Sequence, residues 1–139
     1  MNPIWKAFVR VHTWLLRKTD GKRFTGGANI LILRTIGAKS GKLRSNPLMY
    51  VPHEDSYAVV ASYAGNDKNP GWYYNLVKNP DVDIEVDGVT RPVRARVVEG
   101  EERDRLYGQF EAMDKRFTRY QAKTERTIPV FMLAPRGEA

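Results

Sequence analysis

Lys39, Lys42 and Arg44 fall within one short segment, with Ser40 and Gly41 between them and Gly37-Ala38 before them. Three cations and several sterically open amides on one turn form a device for holding anions. The plainer reading is that Gly37 and Gly41 serve a bend while the cations are solvated, and the residues alone leave both readings open. The segment is not a P-loop. That motif needs glycine directly before the lysine, where Ala38 stands, and no long helix follows. Nucleoside triphosphate hydrolysis is therefore disfavoured.

Other constellations carry less. Ser40, His53 and Asp55 supply the residue types of a hydrolase triad, but the chain has no Gly-x-Ser-x-Gly elbow, and His53 falls in a hairpin turn. Cysteine is absent, which removes disulfides, thiolate nucleophiles and zinc–thiolate sites. With only His12 and His53, and no pair of carboxylates at ligand spacing beside either, no metal is expected. Seven tyrosines and three tryptophans interleaved with basic residues invite a nucleic-acid reading. Most of these aromatics sit at periodic core positions and the strands are lined with aliphatics, so nucleic acid is not the expected partner.

These residues need elements to place them. A chain of 139 residues, 42% of them hydrophobic, can bury one sizeable core. We read residues 1–20 as an N-terminal amphipathic helix and residues 21–139 as a single domain. Over residues 3–18, Ile4, Phe8, Val11 and Leu15 recur at helical spacing, with Lys6, Arg10 and Arg17 interrupting any spanning run. The expectation is a cytoplasmic protein, with room for a peripheral membrane contact through that helix. The formal charge of +7 is uneven: residues 1–50 carry +9 and the remainder −2, which points to a local anionic partner.

Apolar runs at residues 29–36, 43–51 and 57–62, separated by turn-forming segments at 37–41 and 52–56, read as an antiparallel meander. A short helix follows, with Asn69 as its cap, Pro70 at its first position, Trp72, Leu76 and Tyr73 on its inner face, and Asn79-Pro80 as its stop. Val82, Ile84 and Val86 alternate with acids, and Asp87-Gly88 turns them into a strand over residues 89–98, giving one core face and one wet face. Leu106, Phe110 and Met113 set a helical period over residues 100–115, with Glu101–Arg105 and Glu111–Lys115 available as ion pairs. Residues 128–134 close the chain. The order suits a mainly β protein: an antiparallel barrel of six to seven strands with helices over its ends.

Several motifs then coincide: Gly37-x-Lys39-Ser40-Gly41-x-x-Arg44-x-Asn46-Pro47-Leu48, Ala61-Ser62, Lys68-Asn69-Pro70-x-Trp72-Tyr73-x-Asn75-Leu76, Asn79-Pro80, and Thr124-x-Arg126-Thr127-Ile128-Pro129. In order and spacing the chain resembles the deazaflavin-dependent nitroreductase family. These are split β-barrel, FMN-binding-like oxidoreductases that use coenzyme F-420, an 8-hydroxy-5-deazaflavin with a phosphate and oligoglutamate tail. The resemblance covers residues 29–135. It implies that Lys39 and Arg44 grip the tail, with Ser40, Lys42 and Lys68 near it. It implies also that the backbone around Pro47, Leu48 and Met49 and at Ala61 and Ser62 lines the deazaflavin ring, with Trp72 supporting that pocket or serving plainly as core. The implied reaction is hydride transfer to an electron-poor acceptor such as a quinone, enone, unsaturated lactone or nitroaromatic, with Ser62 and Tyr120 as candidate proton donors.

The chain departs from the family pattern in two places. Ala38 stands where many relatives carry a cation, and Met49, Asp114 and Phe117 stand where the nitroimidazole-reducing branch has tyrosines, leaving Tyr120 alone. Bicyclic nitroimidazoles are accordingly expected to be poor substrates. The rival readings are an FMN-dependent reductase on the same fold and a non-catalytic basic module for membrane or nucleic acid. A monomer and a homodimer are equally compatible with the sequence.

Overall fold

The computed structural model describes residues 29–137. The expected N-terminal helix, and any membrane contact made by it, lies outside the described residues. No helix among the described residues is long and apolar enough to cross a membrane.

Seven strands form one antiparallel sheet: β1 (Ile30–Ile36), β2 (Leu43–Met49), β3 (Val51–His53), β4 (Ser56–Val60), β5 (Asp81–Val86), β6 (Val89–Val98) and β7 (Val130–Pro135). Their spatial order is β2-β1-β5-β6-β7-β4-β3. The two ends of that order, β2 and β3, are consecutive in the chain and separated only by Tyr50. A sheet whose outermost strands are joined through one residue must curl on itself, and the fold is the expected barrel.

Tyr50 is where the structure corrects the sequence reading, because the apolar run 43–51 is two strands. Up to Met49 the run pairs with β1, and from Val51 it pairs with β4. At the break, the Tyr50 N–H donates to the carbonyl of Asn29 at 3.0 Å. Side-chain hydrophobicity is continuous across this point while the hydrogen-bonding partner changes, so pattern alone does not show it.

Strands β4 and β7 are buried on both faces, whereas β6 alternates, with Arg94 and Arg96 exposed. Val59, Phe131, Leu133, Val93 and Ala95 join Trp72 and Leu76 in one cluster. Their neighbours Ala58, Val60, Val130, Met132 and Val98 join Leu106, Phe110 and Phe117 in a second. This double burial explains the unbroken apolar runs. Strand β5 keeps the expected alternation at Val82, Ile84 and Val86. Glu85, expected on the wet face, is instead buried and receives Arg34 Nη2 at 3.0 Å.

The helices are α1 (Gly71–Lys78), α2 (Gly100–Met113) and α3 (Arg116–Lys123), and Tyr63–Gly65 forms a 3₁₀ turn. Asn69 does not cap α1; Pro70 holds that position, and Asn69 Oδ1 accepts from Arg126 Nη1 at 2.8 Å. The helix expected to run to Lys115 stops at Met113, because Asp114 takes an extended backbone and accepts the N–H of Arg116 at 2.9 Å, which starts α3. Lys115 therefore lies beyond the helix that would have paired it with Glu111. Glu102 rather than Glu101 carries the ion pair of the first turn, with Arg96 at 3.0 Å.

Candidate functional site

The turn joining β1 to β2 is closed by the Gly37 N–H to the Lys42 carbonyl at 2.7 Å and by the Gly41 N–H to the Gly37 carbonyl at 2.9 Å. The two glycines suit the turn for different reasons. Gly41 has φ +72, a left-handed conformation that favours glycine, and a Cβ on Gly37 would collide with Ser40 Oγ. Ser40 Oγ also accepts the Lys42 N–H at 3.1 Å and Arg44 Nη2 at 3.4 Å, so the serine braces the turn from inside.

Asn75 pins this turn to α1. Its Oδ1 accepts the Ala38 N–H at 2.9 Å and its Nδ2 donates to Thr35 Oγ1 at 3.0 Å, both from a side chain that is almost fully buried. Lys78 Nζ adds a bond to the Ala38 carbonyl at 2.7 Å. The cationic turn is thus a fixed platform.

Beneath the turn runs a groove of about 770 Å³ lined by Lys39, Ser40, Arg44 and Asn46 at its polar end, and by Leu48, Val60 and Trp72 along an apolar wall, with Ser62, Tyr63, Ala64 and Tyr74 also bordering it. Among the described residues, no acidic residue lines it and neither Lys39 nor Arg44 has a carboxylate partner. Trp72 is at once core and wall: it is buried and packs 5.8 Å from the Phe131 ring while closing the groove.

A second cavity of about 180 Å³ is lined by Pro47, Leu48, Met49, Val60, Ser62, Arg116, Phe117 and Tyr120. Leu48, Val60 and Ser62 line both spaces and form the partition between them. The Ser62 and Tyr120 hydroxyls make no hydrogen bond among the described residues.

The structure therefore brings Lys39, Ser40, Arg44, Leu48, Ser62 and Trp72 to the groove, and Pro47, Met49 and Tyr120 to the adjoining cavity. Lys42, Ala61 and Lys68 line neither. Lys42 is exposed on the outer side of the turn, and Ala61 is buried, its N–H held by the Pro129 carbonyl at 2.9 Å. Lys68 lies in an exposed loop where its N–H meets Asn66 Oδ1 at 2.9 Å.

Arg126 is the residue whose role sequence reasoning missed. Its Nε donates to the Asn66 carbonyl at 2.8 Å and its Nη2 to the carbonyls of Ala61, Ser62 and Lys68 at 3.2, 3.0 and 3.3 Å. One guanidinium fixes the loop that ends at Ser62 against the loop that precedes α1. Burial lowers its pKa from the ordinary arginine value, partly offset by Asp67. On the other side, Gly65 lets the 3₁₀ turn press against the backbone of Tyr120, where a Cβ would lie 2.9 Å from the Tyr120 carbonyl oxygen. Ser62 and Tyr120 are thereby held to one frame.

Among the described residues no group of acids and histidines could hold a metal ion. The donor set suits an elongated organic molecule with one anionic end and one flat apolar end.

Comparison with known proteins agrees with that chemistry. Residues 8–135 match the family model described as F420H(2)-dependent quinone reductase. A Mycobacterium tuberculosis protein described as F420H(2)-dependent quinone reductase Rv1261c is 39% identical over 92% of this chain and 90% of its own. Among solved structures, an F420-H2 dependent reductase (FDR-A) is 42% identical, with TM-score 0.70 over 76% of this chain and 93% of its own. Another, described as a domain-swapped dimer, is 38% identical, with TM-score 0.70 over 92% of this chain and 98% of its own.

Proposed function

The chain belongs to the F420H(2)-dependent quinone reductase family, with the split-barrel fold of its relatives, and from that premise we propose how its two cavities divide the work of an enzyme that uses coenzyme F-420. The groove takes the cofactor, with the phosphate and carboxylates of the tail on Lys39, Arg44 and the turn amides, and the ring along Leu48, Val60 and Trp72. The adjoining cavity takes a quinone. When bound, the reduced deazaflavin supplies the hydride.

One observation carries this reading: the partition of Leu48, Val60 and Ser62 is shared by the cationic groove and the apolar cavity. The two spaces adjoin at these residues, so a ring and an acceptor that meet at that border are placed for transfer, and such positioning is the protein's main contribution to a cofactor-driven step. The residues do the rest: Lys39 and Arg44 bind, Trp72 and Val60 exclude water, and Ser62 and Tyr120 offer hydroxyls to the acceptor oxygen. Met49, Asp114 and Phe117 offer a nitroimidazole none of the hydroxyls found in the nitroimidazole-reducing branch. Phe117 is buried, and Asp114 is engaged by Arg116.

The test is to mix purified protein with reduced coenzyme F-420 and 2-methyl-1,4-naphthoquinone and follow the return of oxidised deazaflavin absorbance. Turnover with the deazaflavin and none with FMN is the expected result; turnover with FMN alone would refute the reading.

A further inference from the structure

Among the described residues, Arg116 is the one charged side chain lining the second cavity. Its guanidinium is clamped by Asp114: Nη2 lies 2.6 Å from Oδ2, and Nε 3.0 and 3.1 Å from the two carboxylate oxygens. A fork held on two of its nitrogens presents the third in a fixed direction, and Nη1 makes no hydrogen bond among the described residues. Arg116 and Tyr120 stand four positions apart on α3, on one face of the helix. Among the described residues, the cavity's remaining lining, apart from the Ser62 hydroxyl, is apolar: Pro47, Leu48, Met49, Val60 and Phe117. Among the described residues nothing engages the Ser62 and Tyr120 hydroxyls or Arg116 Nη1, so three donors border this largely apolar cavity and can meet an oxygen that arrives with the ligand.

We propose that Arg116, aimed by Asp114, binds the acceptor's carbonyl oxygen and stabilises the negative charge that forms there, selecting quinones and hydroxyquinone anions. This inference rests on the reading of the two cavities given above. In the step, a hydride supplied by the bound reduced deazaflavin would form a new C–H bond at the quinone carbon β to a carbonyl, as that carbon's C=C π bond breaks toward the carbonyl carbon. The C=O π bond shifts and its electron pair settles on oxygen. That oxygen is an anion until it takes one proton from Tyr120 or water, and enolisation then gives the hydroquinone. The cofactor releases one further proton as it reaches its oxidised form, so the acceptor gains two electrons and two protons in all. Donors aimed at the oxygen that acquires charge stabilise the transition state more than the ground state.

Arg116 is half exposed and outside the groove, so its substitution leaves the fold and the cofactor site intact. The probes are 2-hydroxy-1,4-naphthoquinone, which is an anion at neutral pH, and neutral 2-methyl-1,4-naphthoquinone. Each is titrated by calorimetry into protein saturated with oxidised coenzyme F-420. Arg116→Met is expected to weaken binding of the anion about tenfold or more while changing that of the neutral quinone about twofold or less. Arg116→Lys, which keeps the charge and loses the fork, should fall between. In turnover of the neutral quinone, Arg116→Met should lower kcat by about tenfold with KM nearly unchanged, the mark of an interaction made in the transition state. Anion affinity equal to wild type in Arg116→Met, with coenzyme F-420 bound normally, overturns the role of Arg116 and leaves the cavity reading standing. Failure of the wild-type protein to take up coenzyme F-420 in the first titration would instead overturn both.

Discussion

The Nη2 of Arg126 donates to the carbonyl oxygen of Ser62 at 3.0 Å across a sequence separation of 64 residues. Ser62 lines both cavities, and this bond ties its carbonyl to a residue near the other end of the chain.

Replacing Arg126 by methionine should therefore do two things. It leaves the carbonyls of Asn66, Ser62 and Lys68 and the Asn69 side chain without their shared donor, at a cost of roughly 2–4 kcal/mol in urea denaturation. It also loosens the ring wall, so coenzyme F-420 affinity falls even under conditions where the variant is fully folded. Arg126→Lys should restore little, because an ammonium cannot reach both loops with a planar fork.

How much of this was visible in the sequence depended on how far apart the partners lie. The Asp87-Gly88 hairpin was legible because both turn residues have positive φ, 50 and 80, and their neighbours pair at once as Val86 with Val89. The cationic turn was legible because its cations and glycines are adjacent. Arg126 was quoted within a motif, yet its role was not readable: its partners, from Ala61 to Asn69, stand 57 to 65 residues away, and no spacing rule connects them. The start of α3 was missed for a local reason. Asp114 changes from helix interior to helix breaker by bonding the N–H two residues on, a choice open to any aspartate. The small cavity depends on α3, so most of its lining could be named only through family resemblance, and Arg116 not at all.

Ala64 carries φ 55 and ψ 32 at the lip of the groove, in a conformation that a side chain disfavours. Ala64→Gly removes that strain while adding freedom to the unfolded chain. The net expectation is a stabilisation of about 0.5–1 kcal/mol, read as a shift of the urea midpoint without a change of slope.

Burial pushes the Tyr107 phenol up to about 12, with the Arg103 guanidinium opposing the shift. Its hydroxyl donates to the Phe117 carbonyl at 2.6 Å and so anchors α3 to α2. The unfolded chain loses this proton near pH 10, before the folded protein does. Stability from Tyr107 is thus complete below that pH and declines as the pH rises toward the folded value. Thermal unfolding of wild type should show this alkaline loss between about pH 10 and 12, and Tyr107→Phe should flatten it while lowering Tm at neutral pH.

The most direct test of the central claim is a fluorescence titration of wild type and of the Lys39→Ala, Arg44→Ala double variant with oxidised coenzyme F-420 and with the same deazaflavin lacking its phosphate–glutamate tail. The expected result is that the double variant loses about a hundredfold in affinity for the full cofactor, a loss that added salt reduces, and binds the tail-less ring about as wild type does. Undiminished affinity of the double variant for the full cofactor would contradict the assignment of the cationic turn as the site that holds the tail.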